Sequence, residues 1–522
     1  MSVSTVHPAY AAMVNSWAIL RDAYAGASAV KGATAPRRAS RGSTAAGTRY
    51  LPRPPGMLLD EQYDLYRDRA TFGDFTAVVV NGMGGAIFRR EPVVEAPEIL
   101  TPQLEDVTQT GVPLRTFAEQ VVRETLLMGR FGVLVDFPQA VITETGVTAP
   151  PANPRPYWIA YPCEEILNWR TMQRQGDTVL SLVVLKECVP VPQGVWPSPD
   201  FFIVQDQIQY RVLRLNEFGQ YEVSLWVEQP TSRAQRPAVP TLLDVWIPLR
   251  EGTPLDFIPF VFMAPFSLEP AVEKSLMEGL VEVNFRYYRH SADYEQALFL
   301  TAMPTPYVCS TSLEPQTQLL IGSYVAWVIP DSTAKVGLLQ PDAAGLPAHQ
   351  IAIETDKRDM AALGARLLES PAEVTETRIA AASRTQGAES PMQSLITTVS
   401  QGLTQALQIH TWWAGYTDDP DDTAVTMSLN KDIVANTMPP QMLTALMQAL
   451  LNNAISYDTF WYNLQKGEIA RPMVDAEEEQ DLIDLRQQQQ PLIAPTRQPF
   501  GGGPGQPPSP PPGQNGAART AA

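Results

Sequence analysis

The stretch between residues 268 and 368 constrains this chain more than any other. Over 268–300, Val272, Leu276, Leu280, Val283, Tyr287, Tyr294 and Leu298 fall on one face, and Glu273, Lys274, Glu278, Glu282, Arg286, Arg289 and Glu295 on the other. That period is helical, and an unbroken helix of this length would span about 50 Å. Strand-like residues follow at 304–309 and 323–329, and a second helical pattern occupies 349–368. The plan is therefore helix, small β unit, helix.

The rest of the chain divides by the same criteria. Residues 7–24 carry a helical stripe of Met13, Val14, Trp17, Leu20 and Tyr24, and the small, basic stretch 31–47 reads as a loop. Adjacent prolines make 50–57 extended. Residues 60–88 read as one helix containing Asn81-Gly82-Met83-Gly84-Gly85, a glycine cluster expected to serve close helix packing or a bend. An amphipathic helix is expected over 112–128. Short β-branched and aromatic runs at 131–137, 157–161, 179–188, 201–204, 210–215, 221–227, 242–248 and 258–263 then predict a mostly antiparallel β region. Beyond the second long helix, residues 375–389 are small and polar, and a third long helix occupies 391–413. A strand at 422–429 and helical residues 438–466 follow. An acidic run at 474–481 and a Gln-, Pro- and Gly-rich tail, which cannot bury a core, close the chain.

Charge narrows the function. The net charge is −18, from 38 basic and 56 acidic residues. A protein that coats nucleic acid needs a basic surface to displace counterions, so coating is excluded, whereas surrounding DNA without gripping it is not. Residues 1–53 run against the trend: seven basic residues, Arg21, Lys31, Arg37, Arg38, Arg41, Arg49 and Arg53, face one acid, Asp22. This segment reads either as a solvated loop or as a contact to the acidic surface of a neighbouring copy. Three separated cysteines, Cys163, Cys188 and Cys309, offer neither a disulfide framework nor a zinc site. No secretory signal or membrane-length apolar segment is apparent, so folding in a cytoplasm and no membrane partner are expected.

No catalytic constellation emerges. There is no GxxxxGK[ST] phosphate loop and no GxSxG elbow, and His7, His290, His349 and His410 lack metal-ligand spacing. The acids Asp418, Asp419, Asp421 and Asp422 around Pro420 read as a solvated turn, and Trp412-Trp413 as core packing. Neither an enzyme nor a cofactor or metal is expected.

Three segments carry a resemblance to the phage portal family, and more narrowly to a portal-like family first described as a domain of unknown function in tailed phages. The first runs from Tyr50-Leu51-Pro52-Arg53-Pro54 through Tyr63-Asp64-Leu65-Tyr66-Arg67 to Gly85-Ala86-Ile87-Phe88-Arg89-Arg90-Glu91-Pro92. The second runs from Arg155-Pro156-Tyr157-Trp158 to Asn168-Trp169-Arg170, and the third from Asn284-Phe285-Arg286-Tyr287-Tyr288-Arg289 to Pro304-Thr305-Pro306.

The resemblance implies an α+β portal fold in a homo-oligomeric ring, a dodecamer, at one capsid vertex of a virion assembled in the host cytoplasm. Double-stranded DNA would pass through it during packaging and ejection. The terminase large subunit, a head–tail adaptor and the major capsid protein would be its partners. It divides the chain into a basic N-terminal segment (1–49), a wing (50–267), a stem helix (268–300) and a clip (301–347). A second stem helix (348–370), then tunnel loop, long wing helix and wing strand (371–437), a helical crown (438–472) and a disordered tail (473–522) complete it. DNA-facing candidates in the tunnel loop are Thr375, Glu376, Thr377, Arg378, Arg384, Thr385 and Gln386; clip docking candidates are Tyr307, Ser323, Tyr324, Trp327 and Asp331. Twelve copies at −18 would carry −216 formal charges, a field that repels phosphate and lets DNA slide. The alternative is another ring-forming head–tail structural protein without catalytic activity.

Overall fold

The computed structural model describes residues 2–32, 48–57, 59–138, 141–142, 148–149, 153–192, 194, 197–228, 239–302, 305–311, 327–329, 331–339, 343–367, 390–431, 433, 440–452, 454–466 and 477. Helices and sheets are mixed, an α+β architecture. The chain forms two compact units, Met1–Val434 and Ala435–Ala522.

In the first unit, helices α1 (Pro8–Ala25), α2 (Ala27–Gly32), α3 (Asp60–Arg69) and α4 (Phe75–Ile87) lead to strand β1 (Val93–Glu95), a short α5 (Thr101–Leu104) and α6 (Leu114–Met128). The α6 face of Leu114, Phe117, Val121, Val122, Leu126 and Leu127 is buried as its period demands. Gly129 stops the helix in the left-handed conformation, φ 75°. Strand β2 (Phe131–Asp136) follows at once. It is buried on both faces and is the middle strand of an antiparallel sheet between β5 (Tyr157–Pro162) and β13 (Phe260–Met263). Small β3 (Val141–Ile142) and β4 (Thr148–Ala149) lie between.

The second sheet is a five-stranded antiparallel meander in chain order: β6 (Ile166–Arg174), β7 (Asp177–Pro192), β8 (Val204–Leu215), β9 (Tyr221–Glu228) and β10 (Pro240–Trp246). Hairpin β11 (Leu249–Arg250) and β12 (Thr253–Pro254) joins it to β13. A buried polar network ties the two sheets. Arg211 of β8 reaches Glu187 of β7 at 2.8 Å and Asp136 of β2 at 3.5 Å, and the Tyr161 hydroxyl of β5 donates to Glu187 at 2.6 Å. Burial pushes the Asp136 carboxyl up. Burial also works to raise Glu187, but Arg211 and the hydrogen bonds outweigh it and hold that carboxyl low.

Three long helices complete the first unit: α7 (Glu278–Ala302), α8 (Leu346–Arg366) and α9 (Pro391–Trp413), with hairpin β14 (Thr305–Cys309) and β15 (Lys335–Leu339) between α7 and α8. Ser390 and Gln393 close a reciprocal capping box at the start of α9. This helix packs against α6, β2 and β13, and β16 (Thr426–Ser428), paired with β1, lies along it. Trp412 and Trp413 are core residues, ringed by Phe257 and Phe137. His410 is fully buried with Nε2 on Gln103 at 3.0 Å; burial lowers its pKa to about 3, so it stays neutral. The second unit contains α10 (Pro440–Leu451) and α11 (Tyr457–Lys466).

Several expectations change. The first long helix starts at Glu278, not 268. Residues 268–277 spend their polar groups on a clamp instead: the Glu273 carboxylate accepts from Phe266 N and Ser267 Oγ, and Ser275 Oγ donates to the Leu127 carbonyl at 2.6 Å. The second strand of the small β unit is β15; 327–329 is not strand, and 323–326 lies outside the described residues. The second long helix runs Leu346–Arg366. Residues 60–88 form two helices, broken where the Thr71 backbone bonds Ser291. Residues 199–202 make a 3-10 turn, capped by Ser198. Gly82, Gly84 and Gly85 sit in α4, but a Cβ on any of them would meet nothing within 4 Å, so no neighbour in this chain requires them. Over α1 the basic segment is not a solvated loop. Trp17, Leu20 and Ala23 of α1 are core, Trp17 Nε1 donates to the Met128 carbonyl, and Arg21 pairs with Glu124 and Glu164 of the same chain. Arg37, Arg38 and Arg41 lie outside the described residues.

The clamp on α6 gives a direct test. A Cβ on Gly129 would sit 2.9 Å from the Glu273 carbonyl oxygen and 3.0 Å from Ser275 N, in a conformation L side chains avoid. Gly129→Ala is expected to lower stability by on the order of 2–4 kcal/mol; an unchanged urea midpoint would refute the clamp.

Candidate functional site

The site builds outward from α7. One face of α7 is fixed to the body of the unit. Phe285 stacks on Tyr50 at 4.3 Å, Tyr288 meets Phe72 edge-on, and buried Asn284 donates to Thr76 at 3.1 Å. Further along, the Tyr66 hydroxyl donates to Asp293 at 2.6 Å, and the Arg69 guanidinium lies over the Phe299 ring at 3.5 Å while bonding Gln296. Burial, and then the bond to Asp293, raise the Tyr66 pKa, which keeps this hydroxyl a donor.

The other face holds α8. Arg286 Nε bonds Asp356 at 2.6 Å and a second nitrogen bonds Asp359; His290 Nδ1 lies 2.7 Å from the other Asp356 oxygen; Gln350 donates to the Tyr294 hydroxyl at 2.9 Å. As the α7 partner advances from 286 to 294, the α8 partner falls back from 359 to 350, so the two helices are antiparallel. The Asp356 side chain is 2% exposed. A carboxylate this buried must be paired, and both of its oxygens are. The bonds to Asp356 and Asp359 raise the Arg286 pKa and hold its charge.

The tip is the β14–β15 hairpin, in antiparallel register from Thr305–Leu339 to Cys309–Lys335. Asp331 lies in the turn before β15. One carboxylate oxygen accepts from Thr333 N and Oγ1, and the other from Ser310 Oγ and Thr311 N. These bonds hold its pKa low. Asp331 thus ties the end of β14 to the start of β15, with its acceptor capacity largely used inside the hairpin. Tyr307 lies across from Gly337, where a Cβ would come within 2.7 Å of the phenol ring. Tyr307, Val336, Leu338 and Leu339 are all roughly half exposed or more. Leu298, Phe299 and Leu300 at the end of α7 and Ile351 near the start of α8 add exposed apolar surface at the same end.

Of the residues expected from sequence, Tyr307 and Asp331 thus meet in one hairpin, and Trp327 is partly buried in the segment before Asp331. Ser323 and Tyr324, and all the DNA-facing candidates, Thr375, Glu376, Thr377, Arg378, Arg384, Thr385 and Gln386, lie outside the described residues. Sequence reading missed Gly337, Val336, Leu338 and Leu339. The signal was there: a Ser-Thr turn after Asp331, then the short apolar run of β15. Among the described residues no cluster of His, Cys, Asp or Glu has metal-binding geometry, and no helix is long and apolar enough to cross a membrane.

A family described as a domain of unknown function (DUF4055) matches residues 276–414, the stretch from just before α7 to just after α9. No curated protein matches the chain. Among solved structures, the neck of a native gene transfer agent particle computed with C12 symmetry is similar at 12% identity and a TM-score of 0.35, over 79% of this chain and 95% of that chain. The virion of a native gene transfer agent particle is similar over the same shares, at 12% identity and a TM-score of 0.34. Likeness at that level leaves the functional argument to the chain's own residues.

The helix pair has its own test. Asp356→Ala strips the acceptor from Arg286 and His290 and should cost about 2–3 kcal/mol. Asp359→Ala, at an exposed pair, should cost under about 1 kcal/mol. Equal losses in thermal unfolding of the two variants would contradict the assigned roles.

Proposed function

We propose that this chain is a portal-type subunit: one copy in a ring at the head–tail vertex of a phage-like particle, through which double-stranded DNA is packaged and ejected. The observation that carries the reading is the antiparallel pair α7–α8, fixed to the body of the unit along one face of α7 and tipped by a hairpin with uncovered apolar side chains. A two-stranded hairpin is marginal alone in water, and an exposed apolar cluster marks a contact surface. The tip suits docking of other proteins, in turn the terminase large subunit and a head–tail adaptor, with the major capsid protein around the ring. The three family-like segments support the same reading. So does the charge, since −18 per copy opposes tight binding of phosphate. On this reading the subunit does not hydrolyse ATP, and the energy for packaging comes from a partner.

The full-length purified chain should form rings with a central hole under negative stain, most simply twelvefold, and should neither hydrolyse ATP nor cut DNA. Leu338→Asp with Leu339→Asp should leave the fold intact by circular dichroism while reducing assembly or adaptor capture at least about tenfold, the scale of one or two lost apolar contacts. A chain that remains monomeric at all concentrations, or that turns over ATP, would overturn the proposal.

A further inference from the structure

The segment before α1 is docked on the edge of the five-stranded sheet. His7 N donates to the Leu167 carbonyl at 2.8 Å, and Asn168 Nδ2 donates to the Thr5 carbonyl at 2.9 Å, so residues 5–7 bond the start of β6. Val3 and Tyr10 pack on a separate apolar cluster of that sheet, Leu167, Val184, Tyr210 and Val212. The Tyr10 hydroxyl donates to the Glu164 carbonyl at 2.9 Å. His7 makes the joint. Its ring stacks on Trp169, centroids 4.0 Å apart and 22° from parallel, and its Nδ1 accepts from Ala9 N at 3.1 Å, capping α1.

That cap defines a protonation state. A backbone N–H only donates, so Nδ1 must be unprotonated and the imidazole neutral. The same Trp169 indole carries the Arg130 guanidinium 3.7 Å from its centre, and Phe262 lies 4.9 Å from Arg130 on another side. Arg130 is 1% exposed, and none of its guanidinium nitrogens has a hydrogen-bond partner. A proton on His7 would do three things of one sign. It would remove the cap acceptor, place a cation at a helix N-terminus, and add a second cation to the indole that already holds Arg130.

We propose that residues 2–7 form an acid-released strap: closed over the β6 edge while His7 is neutral, and opened by its protonation to uncover the Leu167–Val184–Tyr210–Val212 cluster. The direction agrees with the electrostatics, since partial burial and then Arg130 lower the His7 pKa. A depressed folded pKa means that the closed strap is favoured above the ordinary histidine value of 6.5 and is lost as pH falls through the lowered one. Of the charged and titratable groups around the joint, Arg130, Cys163 and Glu164 leave this direction unchanged, and Glu165 opposes it. Arg130, after α6, stays cationic, with burial lowering its pKa only to about 9. Burial raises the Cys163 thiol, so it stays neutral. Glu164 pairs with Arg21. Glu165, raised to about 7 by burial and then by Glu164, gains stability on protonation and so works in the opposite direction.

The test is hydrogen exchange by mass spectrometry on the full-length chain at pH 7.5 and 5, corrected for intrinsic rates, following the peptides that contain His7–Ala9 and Leu167–Trp169. Wild type should lose about tenfold or more of its protection in the His7–Ala9 peptide at the lower pH, with Leu167–Trp169, whose backbone amides do not donate to the strap, as the internal reference. His7→Asn keeps a capping acceptor without a titrating ring and should show no such dependence. His7→Ala should exchange fast at both pH values. Wild-type protection that holds at pH 5 overturns the strap, and so does a His7→Asn protein that opens in parallel with wild type.

Discussion

One buried carboxylate fixes how this chain leaves its core and comes back. Asp356 accepts from Arg286 through one oxygen and meets His290 with the other, so the returning helix α8 has a register on the outgoing helix α7. An unpaired carboxylate at that depth would be too costly to keep, so slipping α8 along α7 by a turn is disfavoured by charge as well as by packing. The hairpin at the tip and the return of the chain towards α9 both follow from that register.

The α7 helix is asymmetric for the same reason. Its inner face is aromatic, with Tyr50, Phe72 and Phe75 of the body against Phe285, Tyr288 and Tyr287. Its other face meets α8 through Arg286, His290 and Tyr294. The two sheets show the same division between apolar packing and a single buried ionic joint, with Arg211 between Asp136 and Glu187. In both places apolar contacts surround one ionic joint, and a buried charge left without its partner would be costly, which disfavours other registers.

Much of this architecture could be read from sequence where one pattern dominated. The helix Pro391–Trp413 was expected at those limits because its apolar stripe is continuous and a proline opens it. The strands of the meander with strict β-branched runs were expected too. Strand β6 was not, because past Trp169 its residues Arg170, Thr171, Gln173 and Arg174 are polar and outward. The start of α7 was misplaced because Val272 and Leu276 keep helical spacing while packing from a loop. Of the site, Tyr307 and Asp331 were expected as docking residues from the family resemblance, whereas Asp331 braces the hairpin from within. Asp356 was not singled out, since a carboxylate on a helix reads as solvated until its partner helix is known. The Arg130 stack likewise joins the turn after α6 to β6 and β13, positions that no local pattern relates.

The antiparallel pairing of α7 and α8 also has a mechanical meaning. Among the described residues, the chain leaves the core through α7 and returns through α8, with the hairpin between them. A load applied to the tip is therefore shared by two parallel covalent paths and passes between them as shear along the helix contact, not as peeling of one strand from another. From there it enters the body through the aromatic face of α7, where Phe285, Tyr287 and Tyr288 spread it over several neighbours. The hairpin is thereby tied to the core through both helices at once.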